Sequence, residues 1–413
     1  MPKNFSKKRQ PYLSVTLFSA LLAIFVSGCA PSYKTPEGSR PWSAYLYGGE
    51  RTNVSEDKIT LPASISWTKD VSPFTLYDKY ERQQLSSPAI VEGAIYVGST
   101  NERLYSIKLD SGNVNWRFYA GYPMEAAPTA AGGLVCFGAG DGILRCLERA
   151  TGKETWSYQA KSEIIASPLV KDGRIYVYSA DDKVTALDIK TGEKLWSYVH
   201  GTYGAVAPRI NAAPAAASGK NRIFQFFSDG AIVCLNADSG KAVWSKKIVR
   251  SFDTAAKIRR TPLLHGGNVY MIDDANIILA LDQDTGELTN IFNVIKAYDF
   301  VITGKHSIVI AGLDQAVALD LVTGAILWKS ELKYNPMSSI FAAGDYLFTV
   351  SNYKYAPLGI SWLSRPKGYI QALDLKTGEA VWGKRLDSVI TANASASEGR
   401  IALLMNDGHL QVF

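Results

Sequence analysis

Apolar and polar residues alternate with a period of two along most of the chain. The runs are short and are broken by polar turns. The stretch "RIYVYSADDKVTALDIKTGEKLWSY" (174–198) shows the pattern, with inward-facing Ile, Val, Ala and Leu set against polar neighbours. With "PLV" just ahead of it, this stretch predicts four short antiparallel strands: "PLV", "RIYVYS", "KVTALD" and "KLWSY". "KDG", "ADD" and "IKTG" serve as the turns. Apolar runs of ten or more residues with a 3.6 period are absent, so a stack of helical repeats is excluded.

The same unit recurs. "SGNVNW" (111–116), "TGKETW" (151–156), "TGEKLW" (191–196), "SGKAVW" (239–244), "TGELTN" (285–290), "TGAILW" (323–328) and "TGEAVW" (377–382) place glycines at 112, 152, 192, 240, 286, 324 and 378. The steps are 40, 40, 48, 46, 38 and 54 residues, and Pro88, Pro128, Pro168, Pro214 and Pro262 each open a unit. Four strands at this period predict the blade of an all-β propeller. Two fragments flank the seven units. "PASISWTKDV" (62–71) is an outer strand with Trp67 in the motif position, and 393–413 supplies three strands without a fourth. Pairing them predicts an eighth, composite blade that closes the ring and leaves no sheet edge at the join.

Recurrence in every blade argues against chemistry at the motif, because a catalytic group is needed once and a rivet at every seam. Asp188 is expected to accept backbone donors two and three residues on. Gly192 is expected to provide a positive φ, and Trp196 to cover the join with the next blade. Trp67, Trp116, Trp156, Trp244, Trp328 and Trp382 are assigned the same structural role. In the fifth unit Asn290 replaces the Trp. Phe292 is expected to fill part of the gap, and this blade is the expected weak joint.

The N-terminus reads differently. Lys3, Lys7, Lys8 and Arg9 precede the apolar run "PYLSVTLFSALLAIFV" and then "VSGC". A basic head, a short apolar core and small residues before a Cys form a secretory signal over residues 1–28. The "VSGC" stretch resembles the lipobox of bacterial lipoproteins, which implies lipidation at Cys29. Ala30 after the Cys favours the outer membrane, with the protein facing the periplasm. Residues 29–60 mix Pro, Gly and charge without period and read as a lipid-anchored tether, followed by the propeller over 61–413. Without the signal the chain carries 40 basic and 38 acidic residues, so the +6 of the whole falls to +2. That balance offers no electrostatic footprint for nucleic acid.

Ala186, Asp188, Thr191, Gly192 and Trp196, repeated as Ala372, Asp374, Thr377, Gly378 and Trp382, carry a resemblance to the quinoprotein-like eight-bladed propellers with PQQ-like repeats. The resemblance spans nearly the whole mature length and implies the architecture without implying bound quinone. Quinone-dependent enzymes of that kind bring adjacent cysteines and a calcium site of Glu, Asn and Asp, and neither occurs here. His200, His265, His306 and His409 fall in different blades without metal-ligand spacing. No catalytic residue, cofactor or metal is therefore expected, and the chain is read as a non-enzyme. Cys136 and Cys146 flank a turn on paired strands. A disulfide and two buried thiols both remain open for them, with the thiols preferred, and Cys234 is expected to be free and buried.

Individuality lies where the repeat is broken. The inter-blade stretches 197–213 and 245–260 are long, and blade seven expands its second turn to "SNYKYAPLGISWLSRPKG" (351–368). Tyr353, Tyr355, Trp362 and Arg365 in this insertion are either interface anchors or part of a loop folded back to plug the channel. A lipid-anchored, non-catalytic propeller is similar to the BamB-type lipoprotein subunit of the outer-membrane β-barrel assembly machinery. That resemblance implies a scaffold docking the barrel insertase through two neighbouring inter-blade loops. It carries Arg209, five residues before Pro214, into that role. In the second loop the family's acids are replaced by Lys257, Arg259 and Arg260, a reversal that implies a compensating partner. The alternatives are a periplasmic quinoprotein-like enzyme and a binder of envelope carbohydrate or polymer.

Overall fold

The computed structural model describes residues 43–72, 83–201, 210–249, 261–304, 306–334, 337–356 and 364–413. Among them every regular element is a strand, and the strands form eight sheets. Blade three pairs Leu169–Lys171, Arg174–Ser179, Lys183–Asp188 and Lys194–Val199 in chain order, each antiparallel to the next. Its last strand, Lys194–Val199, alternates exposed and half-buried residues, while the middle strands are buried. First strands of neighbouring blades touch one another, which places the first strand at the axis and the fourth at the rim.

First strands lie side by side in sequence, from blade six (Asp299–Thr303) through seven (Met337–Ala343), eight (Ser395–Ser397) and one (Ala89–Val91) round to blade five (Leu263–His265). Inter-blade connections and second-to-third-strand turns share one face, here the upper. The other turns share the lower face. Between blades the core is made of interlocking Ile, Val, Leu and Phe. Each hydrophobic cluster straddles two or more sheets, as Phe224, Ile232 and Leu281 do between blades four and five. Seams therefore hold the apolar surface out of water, at about 25 cal/mol per Å².

Blade eight is the composite. Trp67–Asp70 lies antiparallel to His409–Val412, with Trp67 opposite Val412 and Asp70 opposite His409. Arg400–Leu404 and Ser395–Ser397 complete the sheet.

One segment departs from the repeat. Residues 43–58, read from composition as tether, sit inside the ring. The Ser43 carbonyl accepts from Ala130 N in blade two, that of Gly49 from Ala216 N in blade four and that of Glu50 from Leu264 N in blade five. The Asn53 carbonyl accepts from Ala342 N, and Val54–Ser55 joins blade seven as a fifth, parallel strand. Asp57 accepts from Glu398 N at 2.6 Å in blade eight. The tether reading fails for this stretch because its polar groups find partners on the innermost strands, which composition does not reveal.

Candidate functional site

The repeated residues define what a seam is. Asp188 Oδ1 accepts from Lys190 N (2.8 Å), Thr191 N (2.9 Å) and Thr191 Oγ1 (3.3 Å). Asp282, Asp320 and Asp374 repeat this arrangement, and Asn236 does so with an amide. The backbone donors, that of Thr191 foremost for Asp188, hold these four carboxyls below their ordinary range. Trp196 Nε1 donates to the Ala237 carbonyl of the next blade at 2.9 Å. Trp67, Trp116, Trp156, Trp244 and Trp328 donate in the same way to Leu109, Arg149, Ile189, Gln283 and Leu375. Each ring also lies on the glycine of the next blade's turn. A Cβ on Gly152 would stand 2.5 Å from the Trp116 ring, and one on Gly192 would stand 2.5 Å from Trp156. These groups bind the ring to itself.

Two seams differ. Trp382 meets Phe413 edge-on, with centroids 5.9 Å apart and planes at 84°. At the seam between blades five and six no ring of the described residues covers Gly324, and a Cβ there would meet none of their atoms within 4 Å. Phe292 does not reach Gly324 but is buried in the apolar cluster shared by blades five and six, 6.4 Å from Tyr270.

On the axis, Arg51 is fully buried. Its Nε donates to the Pro214 carbonyl (3.0 Å), Nη1 to Tyr45 (2.7 Å) and Nη2 to Pro168 (3.1 Å). One guanidinium thus ties the segment to blades three and four. Asn53 Nδ2 donates to the Ile340 carbonyl in blade seven, and Asn393 Nδ2 donates to the Tyr45 hydroxyl at 3.0 Å. The expectation left room for the blade-seven insertion to plug the channel. It is residues 43–58 that occupy the axis.

The described part of that insertion is built as strand. Tyr346–Tyr355 and Arg365–Asp374 are ten residues each, in register from Tyr346↔Asp374 to Tyr355↔Arg365. The flanking strands end their pairing at Ser351 and Gly368, so the hairpin above them has two free edges among the described residues. Tyr353 stacks on Tyr334 from the inter-blade connection, 4.3 Å apart at 14°, and Tyr334 meets Tyr369 edge-on at 4.9 Å. Lys333 Nζ lies 5.3 Å from the Tyr369 ring centre, within cation–π range. The Tyr334 hydroxyl accepts from Arg385 and raises the guanidinium's pKa, while desolvation raises that of Tyr353. Lys354, Tyr355 and Arg365 are exposed at the tip. The result is an aromatic and cationic patch of the composition that anchors protein interfaces.

Tyr353, Tyr355 and Arg365 are thereby brought together. Arg209, Arg259, Arg260, Trp362 and Cys29 lie outside the described residues. Tyr334, Lys333, Tyr369 and Arg385 were not singled out from sequence. The run "LKY" beside a Pro-containing connection was the available signal.

Cys136 and Cys146 stand directly opposite on paired strands and form a disulfide, with Cα atoms 4.1 Å apart. The preferred reading of two thiols is corrected: directly opposed positions place both sulfurs within bonding reach. Cys234 is free and buried, and burial pushes its thiol up to about 12. No group of three or more His, Cys, Asp or Glu residues suited to a metal occurs among the described residues. No described helix is long and apolar enough to cross a membrane.

No curated protein sequence matches the chain. Among solved structures, BamB from Moraxella catarrhalis is 18% identical with a TM-score of 0.64, covering 84% of this chain and 99% of that one. A europium-containing methanol dehydrogenase gives 14% and 0.67, covering 88% and 89%. The quinohemoprotein alcohol dehydrogenase from Comamonas testosteroni gives 14% and 0.68, covering 93% and 81%. At these identities the likeness is one of fold, shared with BamB and with dehydrogenases alike. The family model described as outer membrane protein assembly factor BamB matches residues 63–145, 138–330 and 297–413, and the chain belongs to that family.

Proposed function

We propose that this protein is a non-catalytic, lipid-anchored scaffold of the outer membrane. In this reading it faces the periplasm and docks an envelope protein, the barrel insertase, during outer-membrane protein assembly. The observation that carries the reading is the filled axis. A propeller that acts on a small molecule needs a concave site, and here residues 43–58 occupy the central opening with a buried Arg51 at their middle. Side chains free to meet a partner lie instead on the upper face, at the blade-seven hairpin, where Lys354, Tyr355 and Arg365 are exposed. Family membership supports the assembly role, and the "VSGC" stretch supports an anchor at Cys29.

Affinity capture from detergent-solubilised envelopes tests the proposal. Recovery of the barrel insertase with the intact chain, and its loss with Arg209→Glu, supports the scaffold. Capture without the insertase sinks the named partner. Cys29→Ala should move the protein from the membrane to the soluble periplasmic fraction, and membrane retention by that variant would rule out the lipid anchor.

A further inference from the structure

We infer that the seam between blades five and six is a docking socket for a tryptophan side chain of another polypeptide. It lies on the lower face, so the inference does not depend on the upper-face patch.

Six other seams show what this socket accepts. In each an indole lies on the glycine of the next blade, and its N–H donates to the carbonyl three residues before that glycine. At the fifth seam the receiving half is intact. Asp320 holds the turn through Val322 N and Thr323 N, and Gly324 keeps the same left-handed backbone at φ 72°. The donor half is absent, because Asn290 stands where the Trp would be and bends its Oδ1 back to Ile291 N at 2.8 Å. Gly324 is consequently exposed, whereas its counterparts are buried or half-buried. The Leu321 carbonyl, which corresponds to the six acceptors, receives no donor among the described residues.

The surroundings have changed with the vacancy. The position after the acceptor is charged at Asp110, Lys190, Asp238, Asp284 and Lys376 and small at Ala150, but here it is Val322, 75% exposed. Leu288, two residues before Asn290 on the outermost strand of blade five, is also about half exposed. Loss of the Trp alone does not require this change, yet the residue beside the acceptor is an exposed Val where five of six counterparts carry charge. The occupant is taken to be a polypeptide because the socket opens beside Leu288–Phe292, the outermost strand of its blade. Its outward N–H and C=O groups can receive an extended flanking segment.

The test is an amide-resolved NMR titration of the purified full chain with N-acetyl-tryptophanamide. Saturable shifts confined to Leu288–Phe292 and Leu321–Ile326 are expected, with an affinity on the order of millimolar, as one small anchor supplies. Asn290→Trp should abolish them while raising the thermal unfolding midpoint, because the chain then fills its own socket. Val322→Lys, at an exposed position, should keep the fold and weaken binding about tenfold. Shifts that are absent or scattered over the surface overturn the inference, as does an unchanged midpoint in a folded Asn290→Trp protein. Concentration-dependent self-association that disappears with Asn290→Trp would identify a second copy as the occupant and overturn the assignment to a different polypeptide.

Discussion

Gly152 answers to two constraints at once. Its φ of 72° lies in the left-handed region, and the ring of Trp116 rests where a side chain would begin. The first constraint follows from the turn and is readable in the sequence. The second depends on a neighbour 36 residues away and becomes visible only when the blades are placed side by side. Removal of one rivet should therefore be costly. Trp156→Ala loses the ring's packing and its bond to the Ile189 carbonyl, and about 2–3 kcal/mol is expected for a half-buried Trp. Asn290→Ala should change stability by less than about 0.5 kcal/mol. Equal costs for the two in denaturant titrations would show that the rivets are not what holds the seams. The aspartates lead to a pH prediction. Asp188, Asp282, Asp320 and Asp374 are held below the unfolded value near 3.9. Their contribution is complete above that pH and disappears as pH falls through the lower folded values. Replacing all four by Asn should flatten the acid limb of the stability profile below about pH 4 while keeping the turns, as Asn236 already does. An unaltered acid limb would assign acid lability to other carboxyls.

Among the elements, the blades were legible because each is local: strand, turn and motif fall within one period, and the fragments at 62–71 and 393–413 complement each other by inspection. Residues 43–58 were not. Their bonds reach as far as Asp57 to Glu398, and Leu46, Tyr47 and Arg51 adopt a left-handed backbone that their residue types do not favour. Such backbone costs about 1 kcal/mol per residue, so the ring must hold the segment in place. Arg51 is the natural lever. Arg51→Ala leaves the Pro168 and Pro214 carbonyls without that donor, at a cost of about 3 kcal/mol. It should expose residues 43–58 to hydrogen exchange while the blades stay protected. Arg51→Lys cannot reproduce the three-pronged geometry and should behave similarly. Protection of the segment unchanged in both variants would show that its backbone bonds suffice. Ring closure is tested by deleting residues 404–413, which removes the strand that pairs with Trp67–Asp70. Loss of cooperative unfolding is expected, and an unaltered transition would mean that the seam at blade eight adds nothing.

For the whole molecule, the fold leaves scaffold and enzyme both open, since its likeness extends to BamB and to dehydrogenases alike. The difference has to come from what occupies the axis and what stands at the two faces. In this chain the axis is filled from within, the upper face carries Tyr334, Tyr353 and Arg385 around a raised hairpin, and on the lower face no indole of the described residues covers Gly324. An axial ligand would have to displace residues 43–58, along with Arg51 and its three carbonyl partners. Binding to the folded state alone raises the unfolding midpoint in proportion to the logarithm of ligand over Kd, so a melting series with quinone cofactor and Ca²⁺ separates the two readings without an assay for activity. The scaffold reading expects no shift with the native chain at any ratio. A saturable rise, or a quinone absorbance that stays with the protein through desalting, would establish an axial cofactor site. It would also require residues 43–58 to move aside, and hydrogen exchange on Leu46–Asn53 in the same samples would detect that directly.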